Sequence, residues 1–244
     1  MKKLNWWMLI TVFIYSCSVE QGISVSPSRR GLNGVIIGFR LFSTDSGVSS
    51  WLLVADSALS RLSDTNDVYG IQLTFYTEQG MKSSDIFADS GKQVVKTRDL
   101  FASGNLLIKS YPDQQDSNSW EIYGDSIWQR VRKNQIDIYN LRLLWFDSLG
   151  NEKAEIIADS GTYFVFSKDL RAQGNLSIHT SSGGILLTET LFYHQDRNMF
   201  ATDLEVTYIE GDNILKGVGF ESDPHMDNIR VFHAVRGTIV ADEL

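Results

Sequence analysis

Two Asp-Ser-Gly triplets are the first residues in this chain of 244 amino acids that could do chemistry. They are residues 89–91 and 159–161, with the two aspartates 70 positions apart. Such a pair is typical of aspartic proteases, in which two carboxylates share one proton. However, Lys92 and Gln93 follow the first triplet where that enzyme has Ser or Thr, and the spacing leaves lobes too small for it. We keep aspartic protease as a remote third hypothesis and predict no catalytic residue.

Two further Asp-Ser pairs, at 56–57 and 125–126, accompany the triplets. Asp and Ser side chains readily bond their own backbone in turns. The four pairs together therefore predict a recurring turn rather than an acid-base site.

The remaining residues give little indication of a metal-binding or cofactor-binding site. The four histidines (His179, His194, His225 and His233) are far apart and lack metal-binding spacing. The sequence contains no Gly-rich nucleotide-binding loop, so we predict no metal and no cofactor. A net charge of -8 excludes an overall basic nucleic-acid footprint. One cysteine excludes an intramolecular disulfide framework.

The N-terminus is typical of a targeting segment. Lys2 and Lys3 precede an almost wholly apolar run over residues 4–15, which is too short for a membrane span of about 20 residues. The run ends in Ile-Tyr-Ser-Cys, which resembles a bacterial lipobox. We predict a lipoprotein signal peptide at 1–16, acylation of Cys17, and an acylated tether at 17–34. An ordinary signal peptide with a nearby cysteine is the alternative.

The chain after the tether repeats itself at a spacing of about 70 residues. Residues 67–76 match 137–146, and the motif Ala-Asp-Ser-Gly recurs at 88–91 and 158–161. We place copies at about 50–110, 120–180 and, more weakly, 186–220. Such self-similarity indicates one supersecondary unit stacked on its neighbours.

Apolar residues within the copies recur at every second position, which is typical of half-buried strands. The series are Leu100, Ala102, Gly104, Leu106 and Ile108; Leu170, Ala172, Gly174, Leu176 and Ile178; and Phe200, Thr202, Leu204, Val206 and Tyr208. Short turn signals separate the strands. We predict an all-β fold of antiparallel strands over residues 35–244.

Small residues in the middle of these series have two explanations. Ala102 with Gly104, and Ala172 with Gly174, lie between larger neighbours on the predicted inward face. Large side chains from a facing sheet could fill the space they leave, as in ordinary sheet packing. Alternatively, the space could be a slot of the size of a lipid chain. Periodicity does not choose between them.

The ordered series of motifs resembles the LptC family within the OstA-like β-jellyroll group. It comprises the short N-terminal anchor and the Trp-x-x-x-x-Asp-Ser openings at Trp51 and Trp120. Ala-Asp-Ser-Gly, Asp-Leu-x-Ala-x-Gly-Asn-Leu-x-Ile (169–178), Leu-Leu-Thr-Glu-Thr-Leu-x-Tyr (186–193) and Gly-Val-Gly-Phe-Glu-Ser-Asp (217–223) follow. The resemblance is strongest over about 155–225, and the lipobox-like cysteine stands where many members keep a transmembrane helix.

The resemblance implies a twisted, partly open antiparallel β-jellyroll, built here from tandem repeats, whose apolar interior receives the acyl chains of lipid A. It implies a periplasmic carrier, favouring the inner membrane, that takes lipopolysaccharide from an ABC transporter and passes it to a jellyroll bridge protein by edge-strand pairing. The predicted lining is Leu100, Ala102, Leu106, Ile108, Leu170, Ala172, Leu176, Ile178, Leu191, Tyr193, Phe200 and Leu204. A purely structural β lipoprotein that binds protein partners through its sheet edges is the alternative.

Replacement of both triplet aspartates separates an enzyme from a carrier. We expect Asp89→Ala combined with Asp159→Ala to lower stability at most, with no proteolytic turnover to lose. Cleavage of an unfolded protein substrate at acidic pH is the measurement. Turnover by the wild type that disappears in the double variant would establish the protease instead.

Overall fold

The computed structural model describes residues 32–45, 48–61, 64–77, 79–97, 99–111, 119–164, 167, 169–233 and 236–238. The predicted signal peptide and Cys17 lie outside the described residues. The first strand begins at Leu32, inside the segment 17–34 predicted to be the tether.

Antiparallel strands make up nearly all of this part of the chain. They are β1 (Leu32–Asp45), β2 (Val48–Arg61), β3 (Thr65–Tyr76), β4 (Lys82–Val94), β5 (Leu100–Ser110), β6 (Ser119–Arg130), β7 (Gln135–Phe146), β8 (Glu152–Phe164), β9 (Asp169–Thr180), β10 (Ile185–His194), β11 (Met199–Glu210), β12 (Asn213–Ser222), β13 (Arg230–Val231) and β14 (Arg236–Thr238). A 3₁₀ turn at Val131–Lys133 separates β6 from β7.

Strand order in the sheet follows the order along the chain from β1 to β13, and β14 pairs with β12. Sequential antiparallel pairing is what short turns between half-buried strands produce. The predicted all-β class of antiparallel strands is therefore confirmed. The strands β2–β5, β6–β9 and β10–β12 coincide with the three sequence copies.

The chain divides into two compact units. The N-terminal unit is Met1–Ile108 with Ser126–Gln135, and the C-terminal unit is Lys109–Asp125 with Ile136–Leu244. Within the C-terminal unit, a continuous set of cross-strand pairs joins β8 to β12. Each unit buries an apolar face of its own.

An aspartate in the middle of one strand packs against the next strand at corresponding places in the repeats. In the N-terminal unit, Asn105 Nδ2 on β5 donates to both carboxylate oxygens of Asp89 on β4, at 3.2 and 2.9 Å. In the C-terminal unit, Asn175 Nδ2 on β9 donates to Asp159 Oδ2 on β8 at 2.8 Å. We call each such contact an Asp-bulge contact.

The strand that receives the aspartate has a left-handed backbone at the contact. Gly174 has φ +81° and Asn175 φ +44°, and Gly104 and Asn105 have nearly the same values. Between two successive cross-strand pairs, β9 has three residues (174–176) where β8 has two (158–159), so this is a β-bulge. A Cβ added to Gly174 would lie 2.5 Å from Asp159 Oδ2. Only glycine allows this approach.

In the strand that carries the aspartate, the alternation of buried and exposed side chains shifts by one residue at the same point. Ala158 and Gly161 are both buried although they are three positions apart, and Ala88 and Gly91 behave in the same way. Strict alternation would place one member of each pair outside. The motif Ala-Asp-Ser-Gly therefore marks a shift of phase within a strand.

The recurring turn predicted from the Asp-Ser pairs is wrong. All four pairs lie inside strands, at β2, β4, β6 and β8. In β6, Asp125 accepts a hydrogen bond from the Asn140 side chain of β7, and in β2, Asp56 abuts Gly70 of β3. Asp89, Asp125 and Asp159 thus accept hydrogen bonds from the neighbouring strand, and Asp56 lies against a glycine of the neighbouring strand.

A matched pair of glycines tests the Asp-bulge contact. Gly183, in the turn after β9, also has a positive φ (+89°), but an added Cβ would meet nothing within 4 Å. We expect Gly183→Ala to cost about 1–2 kcal/mol for the backbone alone. Gly174→Ala should cost about 1–3 kcal/mol more because the methyl group overlaps the carboxylate of Asp159.

Chemical denaturation of both variants measures this difference. Equal losses of unfolding free energy would show that the carboxylate moves away freely, and that the contact does not constrain the bulge.

Candidate functional site: the inward apolar face

The inward face of the C-terminal unit is built on β9. Leu170, Ala172, Leu176 and Ile178 are exposed by 8% or less. Leu176 lies four positions after Ala172, an even spacing that places both side chains on the same face of the strand. The predicted inward series on β9 is therefore continuous on both sides of the bulge.

Strands β10 and β11 extend this face sideways. Leu191 is the cross-strand partner of Ala172, and Tyr193 is the partner of both Leu170 and Phe200. These three residues of β10 and β11 are buried. Their side chains form one apolar surface with those of β9, because directly opposed residues share a face of the sheet.

The N-terminal unit buries the matching positions of β5. Ala102 and Leu106 are 4% and 2% exposed, whereas Leu100 and Ile108 are half-buried. The two units thus carry similar apolar rows at equivalent places in their repeats.

Leu204 does not belong to the inward face, and its predicted orientation is wrong. Its side chain is 45% exposed. Two residues of β11, Asp203 and Leu204, stand where β12 has only Gly219, so a bulge interrupts the alternation. Val206, which is 2% exposed, occupies the inward position after the bulge.

The small residues of the repeats do not all leave space inside. Gly104 and Gly174 serve the Asp-bulge contacts, which require their positive φ. A Cβ at Gly161 would lie 3.0 Å from Leu141 Cδ2, so that leucine already fills the position. At these points the structure supports close side-chain packing rather than an empty slot.

A cluster of three aromatic rings closes one part of the inward face. Trp145 on β7 lies 5.6 Å from Tyr193 and 6.0 Å from Phe200 between ring centroids, and the latter two are 5.1 Å apart. The Tyr193 hydroxyl donates to Asn198 Oδ1 at 2.8 Å. We call Trp145, Tyr193 and Phe200 the aromatic cluster.

Tyr163 is a neighbour of this cluster through the sheet register. Its cross-strand partner is Leu170, which in turn pairs with Tyr193. Burial raises the pKa of the Tyr163 phenol, and the charge of Asp169 raises it further. The phenol is therefore neutral across the physiological pH range.

Several residues of the inward face were not identified from the sequence. They are Ile156, Leu186 and Phe220, each at most 1% exposed. Alternation over 154–158 could have identified Ile156. No local signal could have identified the contact of Trp145 with strands about 50 residues further along the chain.

The outward face of the C-terminal unit carries charge instead. Lys109 Nζ lies 2.6 Å from Glu121 Oε1, and Tyr123 donates to the other oxygen of Glu121 at 2.5 Å. Partial burial alone would raise the pKa of Glu121, but these two hydrogen bonds lower it. The hydrogen bond to Glu121 raises the pKa of Lys109. Both groups are therefore charged at neutral pH.

A second ion pair lies on the next two strands. Arg142 Nε on β7 donates to Glu155 Oε1 on β8 at 2.5 Å, which raises the pKa of Arg142. The guanidinium also lies 5.5 Å from the ring of Tyr123. Opposite charges on neighbouring strands of this kind contribute modestly to sheet stability.

Two groups of side chains could in principle hold a metal ion. Asp169, His194 and Asp196 form one, and Asp223, His225 and Asp227 form the other, with the potential ligand atoms of each group within 4.8 Å of one another. The Asp223 carboxylate already accepts the backbone N–H groups of residues 225, 227 and 228. It therefore organises the turn after β12.

Among the described residues, no helix has the length and apolarity needed to cross a membrane. The proposed acylation of Cys17 lies outside these residues and stays a prediction.

The antiparallel strands with a buried apolar face define an all-β protein. Comparison with known families is specific: the family model described as "Lipopolysaccharide-assembly, LptC-related" matches residues 111–240. This is more than half of the chain, which therefore belongs to the LptC family. No curated protein sequence matches it.

Membership of this family indicates the general function of the chain. The family is a component of lipopolysaccharide transport, associated with the periplasm and the inner membrane, and it consists of transport proteins. The chain therefore has a role in lipopolysaccharide transport, with lipopolysaccharide and other proteins of that transport system as its partners. The matched residues include β6 to β12 with the inward row of β9 and the aromatic cluster.

Proposed function

We propose that this protein is a lipid-anchored periplasmic carrier of lipopolysaccharide. It receives the lipid from an inner-membrane ABC transporter and passes it to a periplasmic bridge protein of jellyroll fold. The observation that carries the proposal is an apolar inward face within residues that match the LptC family. Exposing an acyl chain to water costs about 0.8 kcal/mol per methylene, so transfer needs apolar side chains along the route.

The acyl-chain contacts we propose are the buried members of the predicted lining. They are Ala102 and Leu106 in the N-terminal unit and Leu170, Ala172, Leu176, Ile178, Leu191, Tyr193 and Phe200 in the C-terminal unit, with the half-buried Leu100 and Ile108 at the ends of the first row. Several are almost inaccessible to solvent. Lipid entry therefore requires strands of the open sheet to separate and replaces side-chain contacts with acyl-chain contacts.

Strand β1 offers a docking edge for a partner protein. It is the first strand in the sheet order, with β2 as its neighbour. Ile36, Ile37 and Phe42 on this strand are at least 40% exposed. A strand at the end of a sheet can pair with a strand of another protein through its backbone. We propose this edge as a site for pairing with the transporter or the bridge protein.

Acylation of Cys17 would attach the carrier to the membrane. Leu32, where β1 begins, follows Cys17 by 15 residues, and such a tether spans at most about 50 Å when fully extended. Several acyl chains on one cysteine hold a protein firmly, because each buried methylene contributes about 0.8 kcal/mol. The tether would allow the strands to approach a transporter in the same membrane.

Adjacent leucines of β10 provide a test of the inward face. Leu186 is 1% exposed and Leu187 is 42% exposed. With the photo-crosslinking residue benzoylphenylalanine in either place, we expect crosslinks to lipopolysaccharide from position 186 and few from position 187. Immunoblotting for lipopolysaccharide after irradiation of the full chain in cells measures both.

Ile156 and Ile157 repeat the comparison on β8, being 1% and 39% exposed, in case position 186 does not tolerate the bulky group. Equal crosslinking from inward and outward positions would contradict carriage by the interior. Crosslinks to proteins alone, from β1 positions such as Ile37, would favour the structural scaffold.

The anchor has a separate test, because the chain contains one cysteine. We expect radiolabelled palmitate to be incorporated into the wild-type protein and not into Cys17→Ser, which should persist as the longer precursor. Autoradiography after immunoprecipitation is the measurement. Release of unlabelled mature wild-type protein would show an ordinary signal peptide.

A further inference from the structure

Two buried polar atoms beside the aromatic cluster have no hydrogen-bond partner in the described part of the structure. They are the indole Nε1 of Trp145 and the hydroxyl Oγ of Ser222. Trp145 is 7% exposed and Ser222 is 1% exposed, so neither is compensated by bulk water. Burying such groups without a partner carries their full desolvation penalty, and native proteins rarely leave it unmet.

Both atoms belong to side chains that flank the same ring. Ser222 on β12 is the cross-strand partner of Phe200 on β11, so their side chains share the inward face. Trp145 meets Phe200 edge to face, with 6.0 Å between the centroids. The neighbouring polar group, the Tyr193 hydroxyl, is already bonded to Asn198. The polar atoms that lack a hydrogen-bond partner at this place therefore belong to Trp145 and Ser222.

The chemistry of the two groups determines which kind of ligand would satisfy their hydrogen bonds. The indole N–H only donates, whereas a serine hydroxyl both donates and accepts. An oxygen atom of a ligand can accept a hydrogen bond from Trp145, and Ser222 can bond such an oxygen as well. A plain hydrocarbon chain can satisfy neither.

We propose that Trp145 and Ser222 bind an oxygen substituent on an acyl chain, such as a hydroxyl group, and so favour substituted chains over plain ones. This inference rests on the proposed function, because it places the acyl chain along the inward face. The aromatic cluster supplies the apolar contacts to the chain, and the two polar atoms form hydrogen bonds with the substituent. They are specificity-determining residues of the lipid site.

Two fatty acids that differ only in the substituent test the proposal. β-Hydroxymyristic acid carries the hydroxyl group that myristic acid lacks, and the two share chain length and carboxylate. We expect the full-length wild-type protein to bind β-hydroxymyristic acid about three- to tenfold more tightly, the range that one hydrogen bond provides. Displacement of a fluorescent fatty acid measures both dissociation constants.

Trp145→Phe and Ser222→Ala should each reduce the ratio of the two dissociation constants towards one, because each removes a hydrogen-bond partner of the hydroxyl group. Trp128→Phe is the matched control, because Trp128 is 40% exposed and lies against Arg130. It should leave the ratio unchanged. If Trp145→Phe fails to fold, Ser222→Ala removes one oxygen atom and carries the test alone.

The outcomes separate this inference from the proposed function. Binding of both fatty acids with equal affinity, or a ratio that both substitutions leave unchanged, would overturn the specificity and indicate that buried water satisfies the two atoms. Failure of the wild type to bind either fatty acid would overturn both the inference and carriage by the interior.

Discussion

The contact between a mid-strand aspartate and the left-handed backbone of the next strand is the constraint on which the architecture depends. At Asp159 and Gly174 it holds a bulge in β9 and coincides with a shift of inward phase in β8. Without the shift, Ala158 and Gly161 could not both be buried. Because the same contact recurs at Asp89 and Gly104, each unit keeps an apolar face across a curved, interrupted pair of strands.

This constraint also explains why the aspartates of the two Asp-Ser-Gly triplets have a structural role. Asp89 and Asp159 each accept hydrogen bonds from an asparagine of the neighbouring strand. Carboxylates held in this way act as structural acceptors within their own units. The glycines opposite them are small because a carboxylate lies against them, so their size says nothing about a hollow for lipid.

The inward face combines close packing with a local lack of hydrogen-bond partners. Ile178 and Phe220 have no measurable exposure, so an acyl chain bound as proposed would have to displace protein contacts. Beside Phe200, by contrast, Trp145 and Ser222 have polar atoms without partners. Most of this surface is thus closely packed, and the polar atoms without partners mark one place on it.

The all-β class and the alternating burial along β9 were predictable from the sequence, because alternation of side chains is a local property of a strand. The orientation of Leu204, the role of Gly174 and the partners of Asp89 were not. The first two depend on bulges that interrupt strict alternation, and the third depends on contacts with the neighbouring strand. The aromatic cluster likewise required the tertiary structure, since Trp145 meets Tyr193 and Phe200 through folding of the chain and not through any spacing along it.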